Sequence, residues 1–112
     1  MYKLSGFALF LTLVSATLSH AAAPAKKEIC LTVSTMAQNV MTMRQTGTPI
    51  AQPLATSQKF ADDGTPSGAE TNRLMDSIIM DAYSEDLRYS ERMKQTSINE
   101  FATKYYLYCM QD

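Results

Sequence analysis

The chain has two cysteines, Cys30 and Cys109, 79 positions apart. If they pair, nearly the whole second part of the chain is closed into one loop, and every fold open to it must bring those two points together. Pairing needs an oxidising compartment, and the first residues speak to that. "MYKLSGFALFLTLVSATLSHAAAPAKKE" carries one early cation, Lys3, then an apolar run to about Ser19, then small residues. This is the three-part plan of a secretory signal peptide. The run is shorter than the roughly 20 residues that span a membrane. Ser19 and Ala21 put small side chains at the third and first positions before a cut, which predicts cleavage after Ala21. A cut after Ala23 would leave Pro24 directly behind the scissile bond. Glu28 and Ile29 stand before Cys30, where a lipidation site would need small residues.

The expected organisation is therefore a signal peptide over 1–21, an N-terminal linker over 22–29 and one domain over 30–112, periplasmic or secreted. An even count of two cysteines in such a compartment predicts one bridge, Cys30–Cys109. The loop-entropy relation gives roughly 4.5 kcal/mol for a loop of this length, as an upper figure. Small domains have a total stability of about 5–15 kcal/mol, so a term of that size decides whether this one folds. A redox role for the pair is weak, since there is no Cys-x-x-Cys and no nearby histidine to depress a thiol pKa.

Composition narrows the chemistry. The single histidine, His20, leaves with the signal peptide, and the chain has no tryptophan. Loss of Lys3 moves the formal charge from −1 to −2. Such weak acidity, with no clustered basic surface, argues against nucleic acid. There is no basic amphipathic stretch for a membrane surface, and no stable membrane insertion is expected once the signal peptide is removed. Without histidine, neither a Ser-His-Asp triad nor a histidine-type zinc site can be built. No glycine-rich phosphate loop is present. The acids at Asp62, Asp63, Asp81, Glu85 and Asp86 leave two-carboxylate hydrolysis formally open. "DDG" lacks the alternating oxygen ligands of a calcium loop. No cofactor and no metal is expected.

Apolar spacing predicts helices. From Glu28 to Gln45, the residues Cys30, Val33, Ala37, Val40 and Met41 form one stripe, with Gly47 and Pro49 as stop signals. A short segment within "PIAQPLATSQKF" is expected to be kinked or broken at Pro53. "ADDGTPSG" reads as a loop. Ser67 and Glu70 suit a capping box for a third helix, whose face is Leu74, Met75, Ile78, Ile79 and Ala82, with Tyr83 at its edge. "SEDLRYS" reads as a connector. Ser90 suits the N-cap of a last helix, with Ile98, Phe101, Ala102, Tyr105 and Cys109 on one face. "CLTVST" is the best strand candidate, but its stripe continues helically to Met41. The expected fold is all-α, a small disulfide-stapled bundle of three to four helices.

The stretch "KYYLYC" before the last cysteine puts Tyr105 mid-stripe, Tyr106 and Tyr108 on its edges, and Leu107 outward. Rings that shield the bridge and close one end of the core account for it; an aromatic ligand pocket is the alternative. Arg44 shares a helical face with Cys30, Ala37 and Met41. It suits the C-terminal dipole of its helix, and a buried polar pairing of Arg44 with Asp81 is a candidate.

"VMTMRQTG" at 40–47, "AY" at Ala82 and Tyr83, and the Phe101, Tyr105, Cys109 series resemble a family of short secreted bacterial and phage proteins of unassigned function. Their mature domains begin and end with a cysteine. The likeness spans most of 30–109, and Pro53 departs from it. The resemblance implies an exported helical domain and no assigned activity.

Two classes of function remain ahead of an enzyme. The leading one is a non-enzymatic secreted or periplasmic module that acts through a protein partner. The other is a protein similar in architecture to small acid-activated periplasmic chaperones. A two-carboxylate hydrolase comes third. The methionines Met36, Met43, Met80, Met93 and Met110 fall off the main stripes. Unbranched, polarizable methionine suits adaptable interfaces. Met80, Met93, Leu107 and Met110 are thus candidates for a partner surface, against the alternative that they fill gaps in the core.

Overall fold

A computed structural model describes residues 25–112; the expected signal peptide and its cut after Ala21 lie outside the described residues. Four helices follow in order: α1 Lys26–Gln45, α2 Ala51–Asp62, α3 Pro66–Ser84 and α4 Glu91–Gln111. Among the described residues there is no strand, and the "CLTVST" stretch lies wholly inside α1. No described helix is long and apolar enough to cross a membrane.

Cys30 and Cys109 are bonded, with Cα atoms 5.4 Å apart. The bridge joins the first turns of α1 to the last turn of α4, so the two helices run antiparallel and pack along most of their length. Ser34, one turn after Cys30, donates from Oγ to the Ala102 carbonyl oxygen at 2.9 Å. α1 also packs against α3, and α2 packs on α3. The core is built at that three-helix junction. Val33, Ala37, Val40 and Met41 come from α1, Ile78, Ile79 and Ala82 from α3, and Ile98 and Phe101 from α4. These are the stripes that helical spacing predicts. One member differs: Leu74 is 37% exposed, at the rim near the bridge.

Several boundaries differ from the sequence expectation. α1 begins at Lys26, so residues 26–29 are its first turn and not linker. α2 is continuous through Pro53, which is fully buried. Pro53 lies in the first turn, where a backbone N–H has no intrahelical partner and a proline costs nothing in hydrogen bonds. The 61–68 stretch is shorter as a loop than expected, because α2 runs to Asp62 and α3 starts at Pro66. The Ser67–Glu70 capping box does not form. Thr65 is the N-cap instead: its Oγ1 accepts from the Gly68 N–H at 3.0 Å and donates to Asp63 Oδ1 at 2.7 Å. Pro66 then takes the first helical position, where its ring is pre-set for the helix.

Two glycines are set by geometry. Gly47, at φ +81°, closes α1; its N–H reaches the Arg44 carbonyl at 3.1 Å while the Thr48 N–H reaches Met43 at 2.9 Å. That is the Schellman arrangement, which needs a left-handed residue. At Gly68 a Cβ would collide with the Phe60 carbonyl and the Asp63 carboxylate, so α2 and α3 meet only because no side chain is there.

α2 places only Pro53 and Ser57 in the interior, and a polar contact fixes it. Ser57, fully buried, donates to Asp76 Oδ1 at 2.7 Å and accepts from Asn72 Nδ2 at 2.8 Å; Asn72 Nδ2 also reaches the Ser57 carbonyl at 3.0 Å.

At the bridged end the tyrosines behave as ring shields. Phe101 and Tyr105 are 5.0 Å apart between centroids and Tyr105 meets Tyr108 edge-on at 5.8 Å. Leu107 points away and is half exposed. Tyr105→Ala is expected to cost about 3 kcal/mol in a urea melt, as truncation of a packed aromatic does. Leu107→Ala should cost under about 0.5 kcal/mol, the usual range for surface changes. Equal losses would show that the α4 face is misassigned.

Candidate functional site

The most organised surface lies at the opposite end from the disulfide, where residues 85–90 connect α3 to α4. Short connectors are usually held by their own turns. This one is held from below by α1. Gln45 ends α1 on the same face as Met41 and Ala37 and is 1% exposed. Its Nε2 donates to the Asp86 carbonyl at 3.0 Å, and its Oε1 accepts from the Arg88 N–H at 2.9 Å. A primary amide carries both a donor and an acceptor, so this side chain pairs with the loop as a neighbouring peptide group would.

Arg44 adds a second tie. Its Nε donates to the Glu85 carbonyl at 2.9 Å, and its guanidinium carbon sits 5.6 Å from the centroid of the Tyr83 ring. Tyr83 is anchored in turn, its hydroxyl donating to the Thr48 carbonyl at 2.7 Å; burial raises its pKa against the opposing pull of Arg44. A third tie comes from α4, where Ser97 Oγ accepts from Arg88 Nε at 2.9 Å. Arg88 also faces Glu85 at 3.7 Å, a distance at which a surface pair contributes little.

This fixed loop directs apolar groups outward. Leu87 is 46% exposed, Tyr89 is 98% exposed, and Met93 follows on the first turn of α4 at 47%. Leu87, Tyr89 and Met93, with Arg44, Asp86 and Arg88, line a cavity of about 450 Å³. α4 starts here on Ser90, whose Oγ accepts from the Met93 N–H as its sequence position implies.

The four residues expected to form a partner surface are all exposed: Met80, Met93, Leu107 and Met110. They do not share one cavity wall. Met93 belongs to the loop end. Leu107 lines a shallow groove on α4 with Asn99, Thr103 and Tyr108, and Met80 stands on α3. Arg44 and Asp81 are brought to different places. The pairing expected between them is absent, because Arg44 turns to the Glu85 carbonyl and Asp81 faces α4. Asp81 Oδ2 accepts from Lys104 Nζ at 2.9 Å and from the Tyr105 hydroxyl at 2.8 Å. Lys104 lies 4.8 Å from the centroid of the Phe101 ring. Both Asp81 and Lys104 are about one-third exposed.

Three of the other acids have local duties, while the Asp86 side chain lines the loop-end cavity. Asp62 accepts from Gln58, Asp63 orders the start of α3, and Glu85 meets Arg88. Among the described residues no cluster of three or more His, Cys, Asp or Glu side chains is placed to hold a metal ion. A second cavity, about 310 Å³, runs beside the bridge between Ile29, Val33, Leu74, Tyr105, Tyr108 and Cys109.

No protein-family model, curated protein or solved structure matches this chain.

The loop escaped the sequence reading, which treats 84–90 as a connector. One signal was there. Gln45 continues the apolar stripe one turn past Met41, and a polar residue at a core position has to find partners.

Gln45→Ala is expected to cost about 1–3 kcal/mol, because the loop N–H and C=O lose their partner. Native-state hydrogen exchange should show the Arg88 amide losing protection well before the core amides do. Unchanged protection at Arg88 would refute the pinning role.

Asp81 gives a pH dependence. Burial pushes its carboxyl up, but the hydrogen bonds from Lys104 and Tyr105 and the Lys104 charge outweigh this, and the net shift is downward. A carboxyl lowered on folding stabilises above its ordinary pKa, and that contribution is lost as pH falls through the lowered value. Asp81→Asn should therefore flatten the fall in stability below about pH 4. Urea midpoints at neutral and acid pH test this; identical acid falls in both proteins would contradict it.

Proposed function

We propose that this is a non-enzymatic, exported helical module that acts through a protein partner, and that residues 85–90 are its recognition element. The observation that carries the reading is Tyr89, 98% exposed on a loop that a buried Gln45 fixes from beneath. An exposed tyrosine contributes nothing to the core. Held on a rigid loop, it offers a large amphipathic surface at low entropic cost, which is why tyrosine is enriched at interface hot spots. Leu87 and Met93 widen the same apolar surface. The Cys30–Cys109 bridge and the signal-like N-terminus support a periplasmic or secreted location. The likeness to short secreted proteins with a cysteine near each end of the mature domain points the same way.

Tyr89→Ala is expected to leave the urea midpoint unchanged, within about 0.5 kcal/mol, and to weaken partner capture at least about tenfold, as loss of a hot-spot residue does. A photoreactive phenylalanine analogue at position 89 should give one discrete adduct in envelope extract, while the same group at Lys59 on α2 gives none. No adduct from position 89, or the same adducts from both, would overturn the reading.

A second reading has one observation behind it. α3 and α4 share few contacts beyond the Asp81–Lys104–Tyr105 tie, and that tie weakens in acid. An acid-activated chaperone would use such a release to expose core surface. It requires the purified protein to suppress client aggregation at acid pH and not at neutral pH.

A further inference from the structure

The loop end of the bundle holds a cation that the fold does not neutralise. Arg44 is half-buried. Its Nε is spent on the Glu85 carbonyl, and the Tyr83 ring lies beside the guanidinium. Those contacts fix the group in place without an opposing charge. Among the described residues no carboxylate oxygen lies within 4.0 Å of it. Of the nearby acids, Glu85 faces Arg88 and Asp81 is taken by Lys104 and Tyr105, while Asp86 lines the same cavity without reaching ion-pair distance. Arg88 is itself only loosely matched, at 3.7 Å.

A guanidinium in this state keeps its terminal N–H donors for a ligand, in the planar fork that fits a carboxylate. It opens on the cavity of about 450 Å³ whose other walls are Asp86, Leu87, Arg88, Tyr89 and Met93. That volume is in the usual range for a pocket filled by small groups, roughly 300–1,000 Å³. The chain as a whole has more acids than bases, yet this lining has two arginines and one aspartate. The remaining wall is apolar.

We propose that this cavity takes an acidic side chain of the protein partner, presented beside an apolar residue. The carboxylate lies on the Arg44 fork with Arg88 near it, and the apolar neighbour packs on Leu87, Met93 and Tyr89. This rests on the partner reading above and adds the chemistry of the segment recognised.

The test is an NMR titration of the oxidised protein with two capped tripeptides, acetyl-Phe-Glu-Leu-amide and its Gln counterpart. The blocked ends leave the Glu side chain as the only carboxylate. The Glu peptide should bind about tenfold or more tightly than the Gln peptide, as expected for a charge-assisted pair. Its shifts should centre on Arg44, Arg88 and Tyr89. Arg44→Gln should reduce the Glu peptide to the level of the Gln peptide, while the unperturbed Val40 and Ile79 amide shifts report an intact core. Tyr89→Ala, which has no packing to lose, should weaken both peptides. Equal binding of the two peptides, no saturable binding by either, undiminished Glu preference in folded Arg44→Gln, or equal occupancy by inorganic phosphate would each overturn the proposal. Failure here together with a discrete adduct from position 89 would leave the partner reading standing and remove only its acidic chemistry.

Discussion

The structure depends on the bridge between the start of α1 and the end of α4. α1 is the one helix that packs on both α4 and α3. Joining its first turns to the last turn of α4 removes, from the unfolded chain, the freedom of nearly everything in between. Among the described residues the core cluster has nine principal side chains and no tryptophan, and small domains commonly need a covalent staple. The packing around the bridge is consistent with that role. Cys30 is fully buried, and the ring series Phe101, Tyr105, Tyr108 runs along α4 toward Cys109.

Away from the bridge the order comes from polar contacts between elements, two of them made by the buried Ser57 and Gln45. Ser57 fastens α2 to α3 through Asn72 and Asp76. Gln45 fastens the 85–90 loop to α1. Asp81 fastens α3 to α4. Among the described residues no buried side-chain nitrogen or oxygen lacks a partner. Buried polar groups in that state specify position, because a shift of either element strands a donor or an acceptor at a cost of about 1–3 kcal/mol. The apolar stripes bring the helices together, and these contacts fix how they are seated.

The two ends of the bundle are therefore different in kind. At the bridged end, the apolar side chains of Ile29, Leu74 and Tyr108 surround a groove floored by Val33 and Tyr105 beside Cys109. At the loop end, apolar and cationic groups stand on a segment whose backbone is pinned by Arg44 and Gln45 of α1 and whose Arg88 side chain is tied to Ser97 of α4. Rigid presentation lowers the entropic cost of binding, which is why the loop end, and not the larger scatter of exposed methionines, is the better candidate for recognition. Met80, Met93, Leu107 and Met110 are exposed, but of the four only Met93 lines the cavity at the pinned loop.

The sequence by itself determined the helices, the phase of their apolar faces and the cysteine pair. Each follows from periodicity or from a count, and neither needs a second element for its meaning. It misjudged Pro53, because a proline's effect depends on whether it falls in the first turn, and the start of α2 is set by where Ile50 and Leu54 pack. It placed the cap of α3 at Ser67, whereas Thr65 caps it, because Pro66 takes the first helical position and Asp63 orders the Thr65 side chain. It singled out Arg44 and Asp81 but not their partners, since partner choice is made between helices that are far apart in the chain. Spacing marks Gln45 as a core position, but its partners, and with them the setting of the exposed Tyr89, were decided by the tertiary structure. A side-chain amide has no local signature for binding a loop more than forty residues away, and its meaning appears only when α1, α3 and α4 meet.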